Sequence, residues 1–146
     1  MVAMTGGCQC GQVRFRAEVD PEGAYACHCK MCRRATGGAW AAFVNVAQDA
    51  VRWEREPDWY QSSPIAHRPF CARCGTPFGF AFLDGRNMDL TVGSFDEPDA
   101  FRPAHNYASE SILPAWLDLH ALPGKRSEDN ENVVQRWRAA GLEVPQ

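Results

Sequence analysis

The sequence predicts a mainly β domain with one short helix near its C-terminus. Three observations carry that reading. Several stretches alternate apolar and polar residues with a period of two, as a half-buried strand does. Two of them flank an Asp-Gly turn. Only one stretch, after residue 126, has a helix's apolar spacing with charges sorted to its two ends.

In chain order, "QVRFRAEV" sets Val13, Phe15, Ala17 and Val19 against Arg14, Arg16 and Glu18. "AWAAFVNV" (39–46) is almost continuously apolar and suits a strand covered on both faces. "FGFAF" puts Phe78, Phe80 and Phe82 on one side; Asp84-Gly85 turns the chain, and "MDLTV" returns with Met88, Leu90 and Val92 in phase. At the end of the chain Ser127 can cap a helix, with Glu128, Asp129 and Glu131 at its positive pole. Val133, Val134 and Trp137 form its apolar face, Arg136 and Arg138 follow, and Gly141 stops it.

The 146 residues, 45% hydrophobic and 23% charged, are ordinary for a single globular domain. No apolar run is long enough to span a membrane. "MVAMTGGCQC" has neither the basic nor the apolar region of a secretory signal, so the expected compartment is a reducing cytosol. There, seven cysteines serve as metal ligands or catalysts sooner than as disulfides. The net charge of −3 argues against a nucleic-acid partner. Seven thiolates with two divalent ions would carry it to about −6.

The cysteines fall into three motifs: Cys8 and Cys10, then Cys27, Cys29 and Cys32, then Cys71 and Cys74. Such short spacings let neighbouring sulfurs converge on one ion. Gly11 and Gly75 each follow a motif, where a positive φ can turn backbone N–H groups towards sulfur. Thiolate sets of this kind favour tetrahedral zinc. Seven divides into a closed set of four and an incomplete set of three. Spacing alone permits two divisions: Cys29 and Cys32 with Cys71 and Cys74, or Cys8 and Cys10 with Cys71 and Cys74.

The order "GGCQCGQVRF", "CHCKMCRRATG", "FCARCGTPF", "VGSFDEP" and "PAW" resembles the glutathione-dependent formaldehyde-activating enzyme family, over about Gly6 to Trp116. The resemblance implies an Mss4-like zinc-binding fold of antiparallel β-sheets. Chain length predicts a single domain over residues 1–146, with a core of about 5–123 and a helical tail of about 127–141 that carries no part of the resemblance. The resemblance also implies a structural zinc on Cys8, Cys10, Cys71 and Cys74, and a catalytic zinc on Cys27, Cys29 and Cys32 with a fourth position open. The implied activity is carbon–sulfur lyase chemistry, joining glutathione and formaldehyde into S-hydroxymethylglutathione or running that reaction backwards.

A zinc on three thiolates carries a net −1 and acidifies water less than a three-histidine site. It suits thiolate exchange, or orienting a small aldehyde for thiol attack, better than hydrolysis. Lys30, Arg33 and Arg34 surround the triad in sequence and are the candidates to offset its charge and receive glutathione carboxylates. His28 alternates with Cys27 and Cys29, so extended backbone directs it to the opposite face. Rival readings are a zinc-stabilised binding module without catalysis, and a lyase for a different thiol or aldehyde. Neither the oligomeric state nor a general base is legible.

Overall fold

The computed structural model describes residues 1–145. Among them the strands and helices are β1 (Val2–Gly7), β2 (Arg14–Val19), β3 (Ala24–Cys27), α1 (Lys30–Thr36), β4 (Ala41–Ala47), β5 (Val51–Trp53), β6 (Asp58–Ser63), β7 (Ala66–Phe70), β8 (Gly79–Phe82), β9 (Asn87–Thr91), β10 (Pro103–Tyr107) and α2 (Glu131–Ala139). The chain divides into two compact units, Met1–Leu113 and the segment from Pro114 onward.

All ten strands belong to the first unit and form two sheets, so the expected mainly β class holds. The smaller sheet has the order β1-β2-β5 and is antiparallel, pairing Gly6 with Phe15 and Phe15 with Trp53. The larger has the order β10-β3-β4-β9-β8-β7-β6. Its pairs are antiparallel except β10 with β3, which run parallel, a departure from the purely antiparallel expectation. The long connection from β9 to β10 allows it, since a parallel neighbour cannot be reached by a tight hairpin.

The core lies between the sheets. Val13, Phe15, Ala17 and Val19 are buried there as their alternation requires, against Val44, Val46, Met88 and Leu90. Phe15 packs edge-on to Phe95 at 5.1 Å and to Phe78 at 6.0 Å between ring centroids. Such pairs add about 0.5–1.5 kcal/mol each beyond the burial of area.

One strand expectation holds and another needs correction. β4 buries residues on both faces, Val44 and Val46 in the core and Ala41 and Phe43 in a second apolar cluster, while Ala42 and Asn45 stay exposed. The hairpin of β8 and β9 forms, but its register pairs Gly79 with Leu90 and Ala81 with Met88. Phe80 therefore sits opposite Asp89, on the face away from the main core, and Phe82 is left exposed. Phe43, Phe80 and Phe82 line a cleft on that second face.

The second unit contains 3-10 turns at Pro114–Trp116 and Ser127–Asp129, followed by α2. The α-helix is capped by Asn130, not Ser127 as the sequence suggested, because the acidic run first closes a separate 3-10 turn. Gly141, at φ +74°, follows its end as expected. No helix among the described residues is long and apolar enough to cross a membrane.

Candidate metal centres and cleft

The fold resolves the ambiguity of spacing by bringing together two sulfur clusters. Cys8, Cys10, Cys71 and Cys74 form one, Cys27, Cys29 and Cys32 the other, with each cluster's sulfurs all within 4.8 Å of one another. Neither cluster includes a histidine nitrogen or carboxylate among the described residues.

The four-cysteine cluster joins the turn after β1 to the turn after β7. Each turn is pinned by backbone bonds: Cys8 N–H to the Val13 carbonyl at 3.0 Å, and Gly75 N–H to the Cys71 carbonyl at 2.7 Å. Gly11 and Gly75 have φ of +74° and +78°, the left-handed conformation their positions predicted, which other residues adopt at a cost of about 1–2 kcal/mol. Val13 N–H then donates to Cys8 Sγ at 3.3 Å, and Gln9 N–H reaches Thr76 Oγ1 at 3.1 Å to tie the two turns together. The Thr76 hydroxyl and N–H draw the Cys74 thiol down to about 6, favouring the ligating thiolate.

Tetrahedral zinc with bonds of about 2.3 Å requires sulfurs about 3.8 Å apart. The Cys10–Cys71 separation is 3.8 Å and Cys8–Cys10 is 3.5 Å, so the donor set and spacing fit that ion. This is a closed set of four, with Cys71 wholly buried and Cys8 nearly so.

The three-cysteine cluster is built where β3 gives way to α1. Cys27 ends the strand, Cys29 caps the helix with its sulfur accepting from Cys32 N–H at 3.3 Å, and Cys32 is carried on the first turn. The sequence reading missed this helix, whose seven residues are too few for a clear apolar period. Cys32 is held well below the usual thiol range because Cys27 donates to it, and Arg68 favours its thiolate as well. The same Cys27–Cys32 bond, with burial, pushes Cys27 up.

Arg68 is the cleft residue that sequence reasoning passed over. It lies on β7, is 3% exposed, and donates from Nη2 to Cys32 Sγ at 3.4 Å. Its guanidinium also stands 4.9 Å from the centre of the Phe80 ring. A cation buried this deeply requires compensation, and here a thiolate and a ring face supply it. The available signal was an arginine inside the buried strand that leads into Cys71.

The cluster opens on a cleft of about 520 Å³ lined by Cys27, Cys29 and Cys32 together with Arg68. Its apolar walls are Tyr25, Phe43, Phe80 and Phe82, with Met31 and Ile65. None of the four other cysteines lines it. Its polar wall pairs Asn45 with Asp89 across β4 and β9, Asn45 Nδ2 donating to Asp89 Oδ1 at 2.9 Å. Burial pushes the Asp89 carboxyl up, while hydrogen bonds from Asn45 and Tyr25 and the charge of Arg68 oppose that rise. Tyr25 stacks on His105 with ring centroids 5.0 Å apart.

Lys30, Arg33 and Arg34 are placed on α1, and none lines the cleft. Lys30 and Arg34 are exposed, while Arg33 donates from Nη1 to the Ser111 carbonyl at 3.0 Å. His28 is 1% exposed and lies outside the triad, its Nε2–H donating to Asn106 Oδ1 at 2.8 Å.

The fold and its clusters define a mainly β domain with two separate cysteine sites able to hold metal ions, one of them facing a cleft. The family model for "Glutathione-dependent formaldehyde-activating enzyme" matches residues 3–110, and the chain belongs to that family. It is 34% identical to a Halomonas elongata protein provisionally named as such an enzyme, over 96% of this chain and 98% of that one. It is 32% identical to an uncharacterized lyase of Schizosaccharomyces pombe over 56% of its own length, spanning 60% of the yeast protein. A crystal structure of a Rhodobacter sphaeroides protein, 23% identical, shares the fold with a TM-score of 0.57 over 70% of this chain and 99% of that one.

Proposed function

We propose that this chain is a zinc-dependent enzyme that forms and cleaves carbon–sulfur adducts of glutathione and an aldehyde at Cys27, Cys29 and Cys32. One observation carries the reading: the three-sulfur cluster lines the cleft and the four-sulfur cluster does not. A structural zinc needs four protein ligands, whereas a catalytic one keeps a position for solvent or substrate. Cys8, Cys10, Cys71 and Cys74 accordingly hold the structural ion. The family membership and the names of the Halomonas and yeast relatives support lyase chemistry of this kind.

In the forward direction the thiol sulfur bonds to the carbonyl carbon, the C=O π bond opens onto oxygen, and the thiol proton ends on that oxygen. A zinc ion, which Cys27, Cys29 and Cys32 would hold, would supply Lewis acidity. The protein's own groups do the rest. The cleft walls bring aldehyde and thiol together, which lowers the entropic cost of their encounter. Arg68 offsets the negative charge of the cysteines. Asp89, whose burial makes it a stronger base than an exposed carboxylate, accepts and returns the proton passing between sulfur and oxygen. The exposed cations Lys30 and Arg34 receive the glutathione carboxylates outside the cleft.

The test is zinc per chain by elemental analysis, before and after mild chelation, with the fold followed by circular dichroism. Two ions falling to one with the fold retained is the expected result. Two ions that both resist would mean two closed sites and would favour a binding module without catalysis.

A further inference from the structure

We infer that the aldehyde partner is an apolar, aromatic aldehyde whose ring enters the cleft beside Cys27, Cys29 and Cys32. The inference rests on the proposed adduct chemistry and narrows its substrate. The cleft, at about 520 Å³, is within the range of about 300–1,000 Å³ typical of pockets that enclose drug-sized ligands. A hydroxymethyl group, with two heavy atoms, would leave most of that space as water against aromatic walls.

Glutathione itself does not suit those walls. Its two carboxylates and one ammonium need charged or hydrogen-bonding partners when they leave water. The cleft offers Asn45, Ser63 and His105 as hydrogen-bonding groups, but its one guanidinium, Arg68, is already engaged with Cys32 and Phe80, and it carries the Asp89 carboxylate, which repels anions. The peptide is therefore held outside, and the cleft is left to the aldehyde-derived group.

The walls are suited to a ring. Phe80 and Phe82 meet edge-to-face at 4.9 Å, and Tyr25 faces Phe43 at 5.9 Å and Tyr107 at 6.4 Å. Phe82 is 47% exposed, and Met31, Ile65 and Tyr107 around the same cleft are exposed too. Apolar side chains gathered in water around a reactive cluster mark a surface that a ligand covers.

The chemistry balances without a further reactant. In breakdown the C–S bond of the adduct is cleaved as its hydroxyl-bearing carbon becomes the aldehyde C=O. The hydroxyl proton is released and one proton returns to sulfur, with no change of oxidation state.

The test is calorimetric binding of two unreactive thioethers, S-benzylglutathione and S-methylglutathione, to the zinc-loaded full chain. S-benzylglutathione should bind about 10-fold tighter or more, the value of burying a ring. Phe82→Ala should weaken its binding about 3- to 10-fold, with the melting temperature as the control for folding. Equal affinities would overturn the inference, as would no binding of the benzyl compound. Magnetisation-transfer NMR of glutathione–formaldehyde exchange separates the two levels. Acceleration by the protein keeps the adduct reading alive when the inference fails, and no acceleration together with no binding overturns both.

Discussion

Arg68→Met tests whether the guanidinium buried against the cysteine triad sustains metal binding there. Methionine replaces the stem with an apolar side chain that fits an irregular interior, so the change removes the charge with limited loss of packing. Two effects oppose. Removing a buried cation relieves its desolvation cost, which by itself would stabilise the fold. Against that, Cys32 loses the hydrogen bond at 3.4 Å and Phe80 loses the cation at 4.9 Å. Those are worth about 1.5–3 kcal/mol for a hydrogen bond to a charged group and about 2 kcal/mol for a desolvated cation–π contact.

The triad decides the balance. With a divalent ion bound, its three thiolates keep a net charge of −1, which the variant leaves uncompensated beside a mostly apolar wall. We expect the triad's zinc affinity to fall about 10- to 100-fold, as for other residues that support metal ligands. The four-cysteine site should be unaffected. Arg68→Lys should fall between, keeping the charge while losing the planar fork. The assay is competition with a chromophoric chelator, read as two successive zinc-release steps. An unchanged weaker step in Arg68→Met would refute the argument.

Four further outcomes are expected. Cys10→Ser or Cys74→Ser should destabilise the fold, because the proposed structural ion would contribute folding free energy, whereas Cys29→Ser should leave a folded chain with one zinc; thermal melts with elemental analysis distinguish them. Gly75→Ala should cost about 1–2 kcal/mol, since its φ of +78° is strained for alanine although open space awaits the added methyl, and chemical denaturation measures it. Asp89→Asn should slow glutathione–aldehyde exchange by about 10²-fold or more, the usual contribution of a positioned acid–base group; an unchanged exchange rate would remove Asp89 from the mechanism. Arg14 and Thr5 hold the Asp96 carboxyl at about 2, below its ordinary 3.8, so the Arg14–Asp96 pair stabilises the fold above about pH 4 and loses that contribution as the pH falls through 2. With the two side chains 36% and 42% exposed, the effect is screened to under about 1 kcal/mol, visible as a stability gap between wild type and Asp96→Asn that closes on acidification.

What the sequence could and could not reveal follows from the range of each interaction. The alternation of Val13, Phe15, Ala17 and Val19 is a local property, and β2 with the residue before it buries those four side chains. Gly11 and Gly75 were legible for the same reason: each turn is closed by bonds to residues a few positions away. The seven sulfurs could be named from their motifs, but their division into four and three depends on which turns the two sheets bring together. Spacing admitted two answers, and family resemblance was needed to choose the one the fold adopts.

The cleft was less legible still. Phe43, Phe80 and Phe82 lie in strands whose apolar runs look the same whether a second layer or a ligand is to cover them. Lys30, Arg33 and Arg34 drew attention because they neighbour the triad along the chain, yet α1 takes none of them into the cleft wall. Arg68 is 36 positions from Cys32 and reaches it only because β7 and α1 contribute to the same cleft. Charge compensation of a buried thiolate is a requirement of space, so proximity in sequence is a poor guide to the cation that meets it. The better guide is cost: an arginine inside a buried strand is expensive unless a negative partner is waiting, and here the cysteines are the partner that makes it tolerable.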